Sequence, residues 1–390
     1  MLFTATPGFG HVHPLLPLAN AYRQQGCAVA FTTGPDLVHV PRRYGFESWA
    51  TGLTMREAER CYLARFPTAN TLPPEQRLPL VTAQMFGDIA ARARLADLVP
   101  LARRWQPDLV VHDVTEFAGP LAALRLGIPF LAHGVSLVNP TSGTVTAVAA
   151  VLDALGAESG VANATARMLD APYLDLCPPS LGWPAPNPYP DVRPLRPQLP
   201  PAHERELPAE LDALPYDRTL LVTLGTVVNS APGAFARLLA ALDDMPVNLV
   251  VTVGPDLDPS DLGRQPRHVV VQPYLPYDLL LPRCAAVLGH AGAGTLFATL
   301  AAGLPSVLVP QGAEQIANAH AVAAAGAAIA LPPEQVSEPA IRTAVRQVLD
   351  RSEYADAARR IGHDIGAQPS AIDVATALRP VARHRVRVIA

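Results

Sequence analysis

The stretch Leu288-Gly-His-Ala-Gly-Ala-Gly-Thr295 joins a short apolar run, Ala285–Leu288, to an apolar segment with helical spacing, Thr295–Ala302. Its glycines allow a ligand to approach the backbone closely, and the free N–H groups at the start of a helix attract anions. His290 and Thr295 add side-chain hydrogen-bond donors. The pattern predicts a strand–loop–helix unit that binds a phosphate or diphosphate; a tight structural turn around a buried histidine is the alternative.

On both sides of this loop, solid apolar runs alternate with helix-like segments along most of the chain. The strand candidates are Leu2–Thr6, Cys27–Thr32, Leu109–His112, Phe130–Ala132, Thr219–Leu224, Val247–Val253, His268–Gln272, Ala285–Leu288 and Ser306–Val309. The helix candidates are Leu15–Arg23, Leu95–Arg104, Ala118–Leu126, Ala234–Leu242, Thr295–Ala302, Gln315–Ala325 and Pro339–Leu349. Solid apolar strands that alternate with helices indicate a parallel sheet covered on both faces, so the predicted fold class is α/β.

A proline-rich stretch divides this pattern into two halves. Twelve prolines lie between Pro172 and Pro208, and proline at this density cannot continue a helix or a central strand. We interpret the stretch as a stiff, extended linker. It predicts a first domain over residues 1–200, with the linker at its end, and a second domain over residues 210–370. The less regular segment Thr54–Met85 is expected to form a mobile cap on the first domain.

Composition excludes several classes of protein. The 390 residues carry 30 basic and 34 acidic side chains, a formal net charge of -4, and 49% are hydrophobic, which is ample for two cores. A slightly acidic chain is poorly suited to nucleic acid, whose binding depends on neutralising phosphates. The sequence contains no lysine, which excludes a P-loop. The four cysteines are scattered and predict neither a disulfide framework nor a zinc site.

The chain shows no pattern typical of membrane insertion or export. Its first residues lack the basic start and apolar stretch of a signal peptide. Residues 284–313 carry no Asp, Glu or Arg, but glycines and prolines interrupt them, which suits short buried elements better than one membrane span. We expect a cytoplasmic protein without a membrane anchor.

Two further turns follow predicted strands. Thr223-Leu-Gly-Thr226 ends the first strand of the second domain, and Gly8-Phe-Gly-His-Val-His-Pro14 follows the first strand of the chain. Ligands collect at the carboxyl ends of parallel strands, so the two glycine turns of the second domain are expected to face one ligand. In the first domain, His11 or His13 is a candidate general base, and Asp113, at the end of another strand, is its candidate partner. A structural hydrogen bond is the alternative for His11, and it is the interpretation that we give to His13 and His112.

These motifs together resemble the GT-B glycosyltransferases of family 1, which include plant and macrolide glycosyltransferases and the antibiotic-tailoring enzymes of actinomycetes. The resemblance covers nearly the whole chain and rests on GHVHPLLPLA, PDLVVHD, VVVQPYLPYDLLLPRC, GHAGAGT and LPSVLVPQGAEQ. It implies two Rossmann-like domains that face each other across a cleft, with the acceptor bound by the first, the nucleotide-sugar by the second, and residues 371–390 returning to the first.

The resemblance also implies roles for individual residues. His11 would be the general base and Asp113 the residue that orients it. The donor-binding residues would be Gly225, Thr226, Tyr274, His290, Gly292, Gly294, Thr295, Glu314 and Gln315. Among these, Tyr274 would pack on the nucleobase, Glu314 and Gln315 would bind the sugar hydroxyls, and the remainder would hold the diphosphate. The implied reaction is a single inverting displacement without a metal ion or other cofactor. Asp256-Leu-Asp258 spells a metal-binding DxD pattern, but it lies in a proline-rich turn and is assigned no metal.

One departure from the family pattern bears on the donor. Many members that use UDP-sugars carry a glutamate that binds both ribose hydroxyls, and the matching position here is Ala298. The absence of this carboxylate favours a dTDP-sugar, typically a deoxysugar. The predicted function is therefore transfer of a deoxysugar to a small hydrophobic natural-product aglycone, with the acceptor site built from Thr54–Met85 and Val135–Thr146.

Several alternatives stay open at this point. The chain would otherwise be a UDP-sugar-dependent member of the family, or a non-catalytic helper of a partner glycosyltransferase, although a helper should have lost the base or the diphosphate motif. A nucleotide-sugar epimerase and a lipid glycosyltransferase of the cell wall are further GT-B candidates. The sequence leaves open whether the protein is a homodimer.

Overall fold

The computed structural model describes residues 1–137, 142–182, 187–200, 206–225, 233–255, 257–312 and 314–378. Two parallel β-sheets organise these residues. The first contains seven strands, which are β1 (Leu2–Thr4), β2 (Ala30–Thr33), β3 (Glu47–Ala50), β4 (Val110–Asp113), β5 (Phe130–His133), β6 (Tyr173–Asp175) and β7 (Val192–Pro194). The second contains six, which are β8 (Thr219–Thr223), β9 (Asn248–Thr252), β10 (Val269–Gln272), β11 (Ala286–Gly289), β12 (Ser306–Leu308) and β13 (Ala328–Ala330). The α/β prediction is confirmed.

Both sheets have the same winding. Their strand orders are β3-β2-β1-β4-β5-β6-β7 and β10-β9-β8-β11-β12-β13, and every pairing is parallel. Each order therefore reverses direction once, between β1 and β4 in the first sheet and between β8 and β11 in the second. Loops leave opposite faces of the sheet at such a reversal and open a crevice at the carboxyl ends of the strands. His11 and Asp113 lie at the crevice of the first sheet, and Gly225 and His290 lie at the crevice of the second.

Sixteen α-helical segments surround the sheets in the described residues. They are α1 (Phe9–Val12), α2 (Leu16–Gln24), α3 (His39–Arg43), α4 (Met55–Arg65), α5 (Pro74–Val81), α6 (Ala91–Trp105), α7 (Ala118–Leu126), α8 (Ser142–Glu158), α9 (Ala164–Leu169), α10 (Ala234–Leu242), α11 (Tyr277–Leu280), α12 (Ala293–Ala301), α13 (Gln315–Ala324), α14 (Glu338–Asp350), α15 (Ser352–Ala367) and α16 (Ala371–Ala377). None is both long and apolar enough to cross a bilayer.

The segment Thr54–Met85 is more regular than predicted. It contains α4 and α5 and enters a π-helical stretch, Thr82–Ala90, that leads into α6. A capping box starts α4, because the Thr54 hydroxyl accepts from the backbone N–H of Glu57 and the Glu57 carboxylate accepts from the backbone N–H of Thr54. The segment is therefore helical although its sequence pattern is irregular, and its role as a mobile cap on the first domain stays a prediction.

The proline-rich stretch is not only a linker. It contributes β6, a three-residue run without proline, and β7, which ends at Pro194 on the edge of the sheet. An edge strand tolerates proline because one side of its backbone needs no ladder partner. Farther along the chain, α16 packs on α2, and Gln25 donates to the Thr376 hydroxyl at 2.7 Å. The domain boundaries 1–200, 210–370 and 371–390 stay a prediction.

Candidate active site

His11 lies on α1, directly after the turn that follows β1. Gly8 precedes this helix in an extended conformation, and a Cβ atom at Gly8 would lie 3.0 Å from His11 Cδ2. The glycine therefore gives the imidazole room beside the backbone. The Nδ1 atom of His11 lies 3.3 Å from Asp113 Oδ1 and 3.2 Å from Thr115 Oγ1. The side chain keeps 24% of its surface exposed, so the ring is accessible from the crevice.

The carboxylate of Asp113 is fully buried and held by several donors. Its Oδ2 accepts from the Thr6 backbone N–H at 2.6 Å, and its Oδ1 accepts from the backbone N–H of Thr115 at 2.7 Å and the Thr115 hydroxyl at 2.6 Å. This network fixes the carboxylate before any substrate binds. A histidine with one nitrogen on a buried carboxylate is the arrangement of a general base.

The electrostatics of the pair favour a strong base. Burial alone lowers the pKa of His11, but the Asp113 charge and hydrogen bond outweigh it, and the pKa is raised above 6.5. Burial likewise opposes the charge of Asp113, yet the nearby His11, Thr115 and Thr6 hold the pKa of this carboxyl well below its usual range. Glu314 of the second half also raises the pKa of His11.

The other histidines of this region have different surroundings. The ring of His13 packs beside Phe9, with 5.4 Å between ring centroids, and burial lowers its pKa to about 4. The Nδ1 of His112 lies 2.8 Å from the Asp113 carbonyl oxygen and 3.0 Å from that of Glu116. These contacts match the structural hydrogen bond expected for His112.

The second crevice is formed by the loop between β11 and α12. His290 follows Gly289, the last residue of β11, and is only 9% exposed. Gly225, with φ 75°, and Gly292 flank its ring so closely that a Cβ atom at either position would collide with His290 Nε2. The sequence pattern explains these glycines by the close approach of a ligand to the backbone. The structure gives Gly225 and Gly292 a second role, because they make room for the imidazole of His290.

Helix α12 begins at Ala293 after Gly292, which has no side chain to cap it. The first N–H groups of an α-helix have no partner within the helix, so they are available to an anion. Gly294 lies in the first turn with no atom within 4 Å of where its Cβ would be, and Thr295 is half-buried beside it. Burial lowers the pKa of His290 to about 4, so the ring is neutral at pH 7.

The remaining predicted donor residues follow strands of the second sheet. Tyr274 follows β10 and is 58% exposed, which suits a ring that stacks on a base. Glu314 is the half-buried N-cap of α13, and the Gln315 side chain accepts from the backbone N–H of Gln311 at 3.0 Å. Thr226 lies outside the described residues, as does Asp256 of the DxD pattern. Asp258 accepts from the Ser260 backbone N–H at 2.8 Å.

Sequence reasoning missed Thr6 and Thr115. The pattern Asp113-Val-Thr115 was a usable signal, because an aspartate often accepts from the residue two positions later in a turn. Thr6 has no such signal, since its contact joins residues 107 positions apart. Thr6 and Thr115 also line a pocket beside the base whose apolar wall includes Leu53, Met55 and Phe86. The predicted acceptor segment Thr54–Met85 therefore reaches this pocket. In the other predicted segment, residues 138–141 lie outside the described part of the chain.

The described residues contain no group of three or more histidine, cysteine or carboxylate side chains placed to hold a metal ion.

Comparison with known proteins gives consistent matches. Residues 29–181 match the family described as "Erythromycin biosynthesis protein CIII-like, N-terminal domain", and residues 236–381 match its C-terminal counterpart. An L-demethylnoviosyl transferase of Streptomyces niveus is 30% identical over 97% of this chain and 97% of its own length. The aclacinomycin-T 2-deoxy-L-fucose transferase of Streptomyces galilaeus is 26% identical over 99% of this chain and 97% of its own.

A solved structure extends the comparison to the fold. The crystal structure of the glycosyltransferase VinC in complex with dTDP is 25% identical, covers 96% of this chain and 97% of its own, and superposes with a TM-score of 0.78. The fold thus has a structural counterpart over almost the full chain.

Proposed function

Because the chain belongs to the actinomycete antibiotic glycosyltransferases related to erythromycin biosynthesis protein CIII, and is therefore a glycosyltransferase, we propose that it transfers a deoxysugar from a dTDP-sugar to a hydroxyl of a hydrophobic natural product. One observation carries the proposal. The hydrogen-bonded pair His11–Asp113 and the anion site at α12 each lie at the carboxyl ends of the strands where the order of a parallel sheet reverses. The charge of Glu314, from the second half of the chain, also raises the pKa of His11. The relatives that transfer 2-deoxy-L-fucose or bind dTDP support the choice of donor.

On the acceptor side, His11 Nε2 removes the proton from the acceptor hydroxyl as its oxygen attacks the anomeric carbon. Nδ1 faces Asp113 Oδ1 at 3.3 Å, so Nε2 is the nitrogen left for the substrate. The buried carboxylate stabilises the imidazolium that forms, because opposite charges interact strongly where water is excluded. The attack and the departure of the diphosphate occur in one step, which inverts the anomeric centre.

On the donor side, the diphosphate leaves with its charge met by neutral donors. We assign to this role the N–H groups at the start of α12, the His290 ring, which Gly225 and Gly292 accommodate, and the Thr295 hydroxyl, beside which Gly294 leaves open space. Donors that are fixed in advance stabilise developing negative charge without reorganising. We assign Tyr274 to the nucleobase, Glu314 and Gln315 to the sugar hydroxyls, and no metal ion to the reaction.

We expect dTDP to bind about tenfold more tightly than UDP. The methyl group of Ala298, a residue of α12 that is 8% exposed, cannot accept from a ribose 2′-hydroxyl, so this hydroxyl of UDP loses water without gaining a partner. Isothermal titration with the two nucleotides measures the ratio. Ala298→Gln supplies an acceptor for this hydroxyl, so it should bring the dissociation constants of dTDP and UDP closer together. Equal dissociation constants for dTDP and UDP would show that the donor preference is wrong and favour the UDP-sugar alternative.

His290→Ala is expected to weaken dTDP binding at least about tenfold, because the variant removes a buried donor aimed at a multiply charged group. Titrations in EDTA also test the proposal of a metal-free site. His268→Ala is the matched control, since His268 precedes β10 at the opposite end of the same sheet. Unchanged binding by His290→Ala, or loss of wild-type binding in EDTA, would contradict this assignment. Binding without transfer to any acceptor would favour the helper protein.

A further inference from the structure

The loop of the proposed diphosphate site contains a strained residue, Ala291. Its φ is 64°, in the left-handed region that a side chain with a Cβ atom rarely adopts. In the described residues, the other non-glycine residues with positive φ are Gln106 and Asn163, both with polar amide side chains. Ala291 has no such group of its own. Another part of the molecule must therefore hold its backbone in this conformation.

Asn318, on α13, makes the contact that can do so. Its side chain is fully buried, and its Nδ2 donates to the Ala291 carbonyl oxygen at 3.1 Å. Ala291 is itself 3% exposed, so the contact is shielded from water. Without Asn318, this carbonyl would be buried with no compensating donor from that side chain, which is costly for a backbone oxygen.

The orientation of the Asn318 amide is set from the first half of the chain. Ser136, in the loop after β5, lies with its Oγ 3.1 Å from Asn318 Oδ1. A carbonyl oxygen can only accept, so the amide nitrogen must face Ala291, the amide oxygen must face Ser136, and the hydroxyl must donate. The three groups form one chain, from the loop after β5 through α13 to the loop before α12.

We propose that Asn318 is a positioning residue for sugar transfer: it holds Ala291 in the left-handed conformation and so aims the N–H groups of 292–295 at the donor diphosphate, while Ser136 fixes its amide. The inference rests on the proposed diphosphate site. Helix α13 starts at Gln315, directly after Glu314, so one helix carries both the proposed sugar-binding pair and the group that shapes the diphosphate loop. A shift of this helix would change both contacts to the donor together.

Asn318→Ala should weaken dTDP binding about tenfold in isothermal titration, because the loop loses the bond that offsets its strain. Adding Ala291→Gly should recover about threefold of this loss, since glycine adopts the left-handed conformation without penalty. A purely structural role for Asn318 predicts no such rescue. Ser136→Ala should weaken dTDP binding two- to threefold, roughly the value of a partly exposed hydrogen bond.

Asn248→Ala is the matched control. Asn248 is also a buried asparagine of the second sheet, and its Nδ2 donates to the Tyr216 carbonyl oxygen at 2.6 Å, but it starts β9 at the opposite end from the loop. It should lower the melting temperature and leave the dTDP dissociation constant unchanged. Unaltered binding by Asn318→Ala, or no recovery with Ala291→Gly, would overturn the inference. Should Asn318→Ala not fold, unaltered binding by Ser136→Ala would overturn it.

Failure of the inference differs from failure of the proposed function. If dTDP does not bind, or binds equally well to His290→Ala, the diphosphate site itself is wrong. If His290→Ala weakens binding and Asn318→Ala does not, the site stands and only the positioning role is lost.

Discussion

His11→Ala is expected to lower kcat for transfer to a hydroxyl acceptor about 10³-fold and to leave the dTDP dissociation constant unchanged. General-base catalysis by a positioned side chain contributes roughly 10²- to 10⁴-fold. His11 is accessible from the crevice and backed by a buried carboxylate, so its loss should fall in this range. The proposed nucleotide contacts all lie in the second half of the chain. Steady-state kinetics, with a dTDP-deoxysugar and an aglycone that the wild type glycosylates, would be combined with dTDP titration.

His13→Ala is the matched control for this variant. His13 lies two positions from His11, and burial lowers the pKa of His13 to about 4. Unlike His11, it packs on Phe9 and has no hydrogen bond to Asp113 in the described residues. The variant should keep activity within about threefold, the range typical of residues outside the chemistry. Full activity in His11→Ala would place the base elsewhere. Equal losses in both variants would indicate a damaged helix instead of a missing base.

Much of the fold was predictable because its strands are buried on both faces. A strand such as Asn248–Thr252 has no polar alternation, and the solid apolar run is visible in the sequence. The helices Ala118–Leu126 and Ala234–Leu242 were predicted at their observed bounds. Placing His11 and Asp113 in one crevice needed only the rule that parallel strands end at the same edge.

The features that were missed depend on short or distant signals. Strand β6 is three residues long inside a proline-rich stretch, too short for a periodic pattern. The capping-box sequence Thr54-Met-Arg-Glu57 was a usable signal for the start of helix α4. The helix was missed because the mixture of aromatic and charged residues in this segment gives no clear helical pattern. The hydrogen bond from Ser136 to Asn318 joins residues 182 positions apart. No local pattern encodes such a contact, because it exists only once both sheets are in place.

Asp113→Asn is expected to reduce kcat/KM about 10²-fold at neutral pH, through the loss of the charge that stabilises the imidazolium. The substitution also replaces one oxygen by an NH₂ group. Asp113 accepts from the backbone N–H of Thr6 and from that of Thr115, so one of these donors would meet another donor. The melting temperature should fall as well, and the kinetics are therefore measured well below it.

The pH profile separates this charge effect from loss of fold. The base must be neutral to accept a proton, so wild-type kcat/KM should fall as the pH drops through the raised pKa of His11, above 6.5. In Asp113→Asn, burial remains and the charge that outweighs it is gone, so the pKa of His11 drops and the acid limb of the profile moves to lower pH. Asp175→Asn is the matched control, because Asp175 ends β6 of the same sheet and also accepts from a backbone N–H two residues on, that of Cys177. The acid limb of the kcat/KM profile of Asp175→Asn should lie at the same pH as that of the wild type. An acid limb that does not move in Asp113→Asn would show that Asp113 does not set the proton affinity of the base.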